Sequence, residues 1–465
     1  MTREQTTAKQ HGASLLRSAY PRALSRVLAF TRNLPDAEDA VQEAALRALH
    51  TWPERGVPAS PEAWLVTVAQ NAYRDRLRKI GREQPLPGMT DGAHEDALET
   101  LSQMSPWAQA AIGHATAMRG WKDELLRLTF TCCHPALSAG ESAALCLATV
   151  MGLSTREVAL SFTVPLRTIE QRLARARKRL RARGNAEGQP PERSAERLPA
   201  VLHVIHLLYN EGYWSSDAEQ PIRAQLCRLA LGLSHALLDT FTHDAEVAGL
   251  AALLTLHEAR RRARRGPDGQ VVPLPEQDRS QWDTADIAQG TALLVHARTV
   301  GATGPYQLEA AISLVHCRAA RAEDTDWETI AGLYAELECL RPTPAVRINR
   351  AFALGQARDA AVGLALLDDP SSNAAQDYPY AAVVRAELLL LLGERERARQ
   401  LLRDQLAQAR NAAERAQLRR RLGQLEQPAE AEHDASPIGA SSSDATARRQ
   451  VDDCTADAPN SGKHG

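Results

Sequence analysis

The stretch LSTREVALSFTVPLRTIEQRLARARKRLR, Leu153 to Arg181, constrains the fold more than any other part of the chain. Ser154 precedes Glu157 by three positions, the spacing at which a serine hydroxyl and a glutamate cap each other's backbone and start a helix. Val158, Ala159 and Phe162 give that helix one apolar face. Pro165 disfavours helical backbone at Val164, so the helix has to end there. A second helix starts near Leu166 and turns Ile169 and Leu173 inward at i, i+4. Two short helices across a three- to four-residue turn, with the small Ala159 at their crossing, predict a helix-turn-helix. The turn carries Thr163 where many such turns carry glycine, which makes a left-handed backbone more costly there.

The second helix presents Arg167, Thr168, Glu170, Gln171, Arg172 and Arg175, side chains suited to base edges and phosphates in a major groove. Its continuation adds Arg177, Lys178, Arg179, Arg181 and Arg183 with no acidic residue. The whole chain of 465 residues has a formal charge of −2, so this concentration of cations is local. The helix dipole favours cations at any C-terminal helix end. It does not account for the capping box, the breaker and the alternating face found with them.

Composition sets the class of the remainder. Apolar residues make up 44% and aromatic residues only 4%. Alanine, leucine and arginine abound, a mix that favours helix over strand. Period-two runs of Val and Ile are missing, so the prediction is an all-α chain of two to four domains. The seven cysteines include no CxxC pair, which points to a reducing cytoplasm. The N-terminus has no apolar h-region, and no window reaches the ~18 apolar residues of a membrane span. The expectation is a cytoplasmic protein with no membrane partner.

Residues 12–80 read as helices with an acidic stretch, a Pro-rich loop and a basic helix. A linker is expected over 81–119, clearest at GREQPLPGMTDGAHED, before the helix-turn-helix zone at 120–183. A second linker, 184–196, precedes many short amphipathic helices over 197–426. The tail, 427–465, is too small and polar in composition to offset ordering entropy and is expected to be disordered.

Other motifs suggest little chemistry. Adjacent cysteines in TCCH (Thr131 to His134) do not readily ligate one ion, and no second pair has finger-like spacing. His203 and His206 share a helix face without an HExxH motif and read as core or partner-facing. Gly212 in NEGY reads as a helix-terminating turn. ARRRARRG (Ala259 to Gly266) reads as a solvated basic helix end or a contact to nucleic acid or a protein. No P-loop, GxSxG or dinucleotide fingerprint is present, so neither an enzyme nor a cofactor or metal site is expected.

The segment LPDAEDAVQEAALRALHTWPERGVPASPEAWLVTVAQNAYRDRLRK, Leu34 to Lys79, resembles region 2 of bacterial extracytoplasmic-function (ECF) sigma factors, and the helix-turn-helix zone resembles their region 4. The resemblance implies that DAEDAVQEA, with Asp36, Glu38, Asp39, Val41, Gln42 and Glu43, grips the β′ clamp helices of core RNA polymerase. An acidic patch suits a basic partner surface; a solvated helix start explains it equally well in isolation. The resemblance places the −10 promoter element against Asn71, Arg74, Arg76, Arg78 and Lys79. It places a flipped base near Trp52, Glu54 and Arg55. Region 4, through Arg167, Thr168, Glu170, Gln171, Arg172, Arg175, Arg177 and Lys178, is implied to read the −35 element, with the β flap as a further partner.

LLRLTFTCCHPALS, LLYNEGYWSSD, EQDRSQWD, GPYQLEAAISLVHC and EDTDWETIAGLYAEL resemble the ECF subgroup with a tetratricopeptide-like C-terminal extension. Membership implies an extension that regulates or supports the sigma activity in cis. Gly355 and Gly393 each read as a helix-helix turn followed by Ala and Leu, at a spacing near but not equal to the ~34 residues of a tetratricopeptide unit. Such an array offers a concave face to a peptide or protein. Two rival readings are a free-standing helix-turn-helix regulator with a repeat-array sensor, and a protein-interaction scaffold. The first leaves the acidic helix without a role.

Overall fold

The computed structural model describes residues 3–31, 33–80, 115–151, 153–162, 164–183, 195–213, 224–266, 272–369, 381–408 and 412–426. Most of the first linker, Thr163 and the tail from Gln427 lie outside the described residues. Among the described residues every regular element is helical and no β-strand occurs. None of these helices is long and apolar enough to cross a membrane.

The first unit is α1 (Arg3–Thr31), α2 (Leu34–Arg55) and α3 (Pro61–Ile80). Asn33 starts α2, its side-chain oxygen accepting the Asp36 N–H at 3.2 Å. Pro35 falls in the first turn, where its missing N–H costs nothing. Gly56, at φ +82°, ends the helix in a conformation that a residue with a Cβ adopts only under strain. Between these signals α2 buries Ala37, Ala40, Val41, Ala44, Ala45 and Ala48 at helical spacing. The small side chains let α1 and α3 pack close, with Leu24 and Val27 from one and Leu65 and Ala69 from the other.

The second unit is α4 (Ala115–Cys132), α5 (Ala139–Thr149), α6 (Thr155–Ser161) and α7 (Leu166–Arg183). Helix α4 begins inside the span expected as linker, where alanine-rich sequence has high helix propensity. Cys132 and Cys133 are buried in the core beside Cys146. The sulfur contact with Cys146 and burial raise the Cys132 thiol well above its ordinary range, and burial does the same to Cys133.

The extension follows as α8 (Leu198–Tyr213), α9 (Ala224–Thr240), α10 (Ala245–Ala259), α11 (Thr284–Val300), α12 (Pro305–Arg318), α13 (Trp327–Leu340), α14 (Pro344–Ala357), α15 (Ala360–Asp368), α16 (Ala381–Leu391), α17 (Arg395–Gln408) and α18 (Ala412–Glu426). It is packed onto the helix-turn-helix unit. One hydrophobic cluster runs from Leu16 of α1 through both N-terminal units to Leu314 of α12. Phe130 of α4 stacks on Phe241 with centroids 5.9 Å apart, and Arg197 donates to the Phe130 carbonyl at 3.1 Å. Helix α10, apolar nearly all round, is the buried centre of this part.

Beyond α12 the core divides into a series. Leu308, Ile330 and Val346 belong to one cluster, Ile348, Leu367 and Val384 to the next, and Leu389, Leu402 and Leu418 to the last. Helices α14 and α16 each contribute to two successive clusters, so each unit contacts chiefly its neighbours, as in a repeat array. The two glycines expected at turns differ. Gly393 is a turn, at φ +78°, with Glu394 N–H donating to the Leu389 carbonyl at 2.9 Å. Gly355 lies inside α14, where an added Cβ would sit 2.2 Å from Leu388. It serves close helix packing. Gly212 likewise does not terminate a helix by a left-handed turn. It lies within α8, where a Cβ would meet the Cys227 backbone nitrogen at 2.7 Å.

The histidines of α8 pack inward. His206 sits edge-on to Tyr306, with ring centroids 5.3 Å apart. Burial, and then neighbouring positive charge, lower both His203 and His206 to about 4. An unfolded chain binds these protons near pH 6.5, so between pH 6.5 and 4 it binds more protons than the folded chain. The stability contributed by the neutral imidazoles is present above pH 6.5 and lost as pH falls towards 4. The midpoint of thermal unfolding followed by circular dichroism should therefore fall clearly between pH 7 and pH 5. A constant midpoint would contradict this packing.

Candidate nucleic-acid interface

The helix-turn-helix forms through the bonds its sequence requires. Ser154 N–H donates to Glu157 Oε2 at 2.7 Å, and Glu157 N–H donates to Ser154 Oγ at 3.2 Å. Val158, Ala159, Ile169, Leu173 and Ala176 are buried between α6 and α7. Their placement turns Arg167, Glu170, Gln171, Arg175 and Lys178 to solvent. Thr168 and Arg172 are half-buried, with the Arg172 guanidinium 5.6 Å from the Phe162 ring centroid. If Arg175 contacts a DNA phosphate, Arg175→Ala should weaken binding at the −35 element and lower the log–log salt slope by about 0.9. An unchanged slope would remove Arg175 from the interface.

Arg177 is placed differently. Its guanidinium forks onto the Glu38 carboxylate of α2, with Nη2 to Oε1 at 2.6 Å and Nε to Oε2 at 3.1 Å. Glu38 is only 4% exposed and also accepts the Thr149 hydroxyl at 3.2 Å. Burial opposes the charge on Arg177, but the Glu38 carboxylate outweighs it and holds the guanidinium above its ordinary range. One helical turn on, Arg181 donates to Asp39 Oδ2 at 2.8 Å, and Arg76 of α3 reaches the same oxygen at 3.0 Å. Two carboxylates expected to face a partner, Glu38 and Asp39, are therefore paired with two arginines expected to face DNA, Arg177 and Arg76, as well as with Arg181.

Other expected contacts also move. Val41 is fully buried and packs within the first unit, so it presents no surface to a partner. Trp52 is 6% exposed and meets Trp64 edge-to-face at 5.6 Å, filling the junction of α2 and α3 where no base can stack on it. Asp36, Gln42 and Glu43 are half-buried at the edge of α2, and Gln42 donates to Glu38 at 3.5 Å. Burial raises Asp36 above the usual carboxylate range. Glu54, Arg55, Asn71 and Arg74 are exposed, and Arg74 lies 5.2 Å over the Phe30 ring. The side chains of Arg78 and Lys79 lie outside the described residues. Sequence reasoning counted Arg181 only in the basic run and missed both its pairing with Asp39 and the contact of Ser161 with Glu211 of α8, donor to acceptor at 2.6 Å. No local pattern marks either pairing.

The arrangement matches known families in chain order. The Sigma-70 region 2 family matches residues 15–83, and the Sigma-70, region 4 family matches residues 127–180. A family of unknown function (DUF6596) matches residues 197–298. An uncharacterised protein of Rhizobium meliloti (strain 1021) is 39% identical over 409 residues, covering 88% of this chain and 94% of that protein. The ECF RNA polymerase sigma factor SigC of Mycobacterium tuberculosis (strain CDC 1551 / Oshkosh) is 29% identical over 157 residues, 34% of this chain and 75% of that protein. No solved structure matches.

The two modules define a promoter-specificity factor, a protein that works with core RNA polymerase and promoter DNA to initiate transcription. The chain belongs to the ECF RNA polymerase sigma factors and carries a C-terminal helical extension.

Proposed function

We propose that the structure is a closed, resting form of this sigma factor, and that the extension regulates its opening in cis. The supporting observation is the joining of α2 to α7 through Glu38–Arg177 and Asp39–Arg181. Elements centred at −10 and −35 are about 25 base pairs apart, or about 85 Å of B-form DNA at ~3.4 Å per step. Modules in direct contact cannot occupy both, so promoter recognition requires them to part.

Opening frees Glu38 and Asp39, with Asp36, Gln42 and Glu43 beside them, for the β′ clamp helices. Arg177 then joins Arg167, Thr168, Glu170, Gln171, Arg172, Arg175 and Lys178 on the −35 surface, with the β flap against the same module. Asn71, Arg74, Arg76, Arg78 and Lys79 serve the −10 element, with Glu54 and Arg55 at the neighbouring loop. The extension is suited to bias this equilibrium because α8 shares a core with α5 and its Glu211 holds Ser161 of α6.

A donor–acceptor dye pair on α2 and α7, at Arg47→Cys and Ala182→Cys with Cys317→Ser, Cys339→Ser and Cys454→Ser, tests the reading. Energy transfer should be high in the protein alone and fall when core polymerase and promoter DNA are added. Undiminished transfer in a transcribing complex would overturn it.

A further inference from the structure

The run ARRRARRG reads in sequence as a solvated helix end, but the fold buries two of its arginines. Arg260 is 7% exposed and Arg264 5%. Helix α10 ends at Ala259, whose carbonyl accepts the Asp283 N–H at 2.9 Å. That bond brings the segment containing Arg279 and Trp282 over the end of the helix. The Arg260 guanidinium lies 5.9 Å from the Trp282 ring centroid, and that of Arg279 lies 4.7 Å from the same ring. Arg264 stacks 3.2 Å from the Tyr213 centroid.

The groups gathered here are rich in donors; Asp324 and Glu323 offset the charge of Arg279, whereas no carboxylate forms an ion pair with Arg260 among the described residues. Nε of Arg260 and Nε1 of Trp282 are buried with no acceptor among the described residues. Glu258, two residues from Arg260, is engaged by Arg261 through Oε1 at 2.6 Å, and its Oε2 is buried without a donor among the described residues, so Glu258 is not a ligand of Arg260. Arg279 Nη1 donates to the carbonyls of His316 and Ala319 at 2.5 and 2.7 Å, which fixes its position, and its counter-charges are Asp324 and Glu323. Burial, followed by the charges of Arg260 and Arg279, pushes His316 down to about 3, so the imidazole is neutral and adds no cation. Its Nδ1 is also buried without a partner among the described residues.

A buried guanidinium without an anion is costly, and so is a buried N–H without an acceptor. Water can accept a hydrogen bond but cannot supply the missing charge. An oxyanion answers both needs, and guanidinium groups are shaped to hold one.

We propose that this cluster binds a small oxyanion, the phosphate or carboxylate group of a metabolite-sized ligand, with Arg260 as its charge partner and Trp282 Nε1 as a neutral donor. The site adjoins α8, whose Tyr209 and Tyr213 stack at 5.5 Å and whose Tyr213 also stacks on His257. The same helix carries Glu211, which holds Ser161 of the promoter-reading unit. Occupancy at Arg260 therefore bears on the helix through which the extension touches α6.

The test titrates the full-length protein with inorganic phosphate and, separately, with acetate, at ionic strength held constant with KCl. Thermal midpoint and tryptophan fluorescence are the readouts. A saturable rise in midpoint is expected with at least one anion, and the stronger of the two identifies the group. Arg260→Met should weaken that response at least tenfold while leaving the midpoint in KCl unchanged or higher, because it removes an uncompensated charge. Trp282→Phe, which keeps the ring and removes the donor, should weaken the response several-fold. No saturable response of the wild type to either anion would overturn the proposal. So would an unaltered response in both variants, or a lowered midpoint of Arg260→Met in KCl alone, which would make Arg260 a structural residue.

Discussion

Replacing Arg177 and Arg181 together by alanine should tighten the binding of the full-length protein to core RNA polymerase by about tenfold or more, measured without DNA. In the closed form Glu38 is 4% exposed and relies on Arg177 for its counter-charge. Removing one partner of such a pair costs roughly 3–5 kcal/mol when both are fully buried. The Arg177 side chain is 32% exposed, so solvent screening reduces that figure to on the order of 2 kcal/mol. The penalty falls on the closed form alone, because Glu38 is solvated once the modules part. Polymerase then binds a protein that is open more often. DNA is left out because Arg177 is also proposed to face promoter DNA in the open form. Unchanged affinity would mean that the contact between α2 and α7 does not limit polymerase binding.

Asp39→Arg should have the opposite outcome, a loss of polymerase binding of at least about a hundredfold. The new cation would stand where Arg76 and Arg181 now approach at 3.0 and 2.8 Å, so this variant also favours opening. It presents the wrong charge to the clamp helices, however, and opening no longer helps. The two variants separate the roles of the acidic face of α2. Both disrupt the closed contact, and only one keeps the face that polymerase is proposed to grip. If Asp39→Arg bound polymerase as the wild type does, the assignment of α2 to the clamp would be wrong. Energy transfer between α2 and α7 should fall in both variants, which checks that each has opened.

Much of the site was legible in sequence because its signals are local. The capping box at Ser154, the breaker at Pro165 and the inward spacing of Ile169 and Leu173 are satisfied within a few residues, and each takes its expected place. The acidic start of α2 was equally visible. Its partner was not, since Arg177 lies 139 residues from Glu38 and a single sequence carries no record of that pairing. Trp52 and Val41 were misplaced for a related reason. Helical periodicity gives the face of a residue, but which face meets solvent depends on how α1 and α3 close over α2. Gly355 read as a turn because glycine is permissive in turns, whereas the neighbouring Leu388 shows that it is there for want of space.

The sequence by itself therefore determined the helical class and the helix-turn-helix, which rest on propensity, capping and spacings of three and four residues. The order of the two promoter modules was carried by the resemblance to ECF sigma factors. Only the tertiary structure decided that the acidic and basic faces are turned on each other, that the extension shares a core with the helix-turn-helix, and that Arg260 and Arg264 are buried. Those outcomes depend on charges and apolar surfaces far apart in the chain being brought from water into contact, and local periodicity does not specify which surfaces meet.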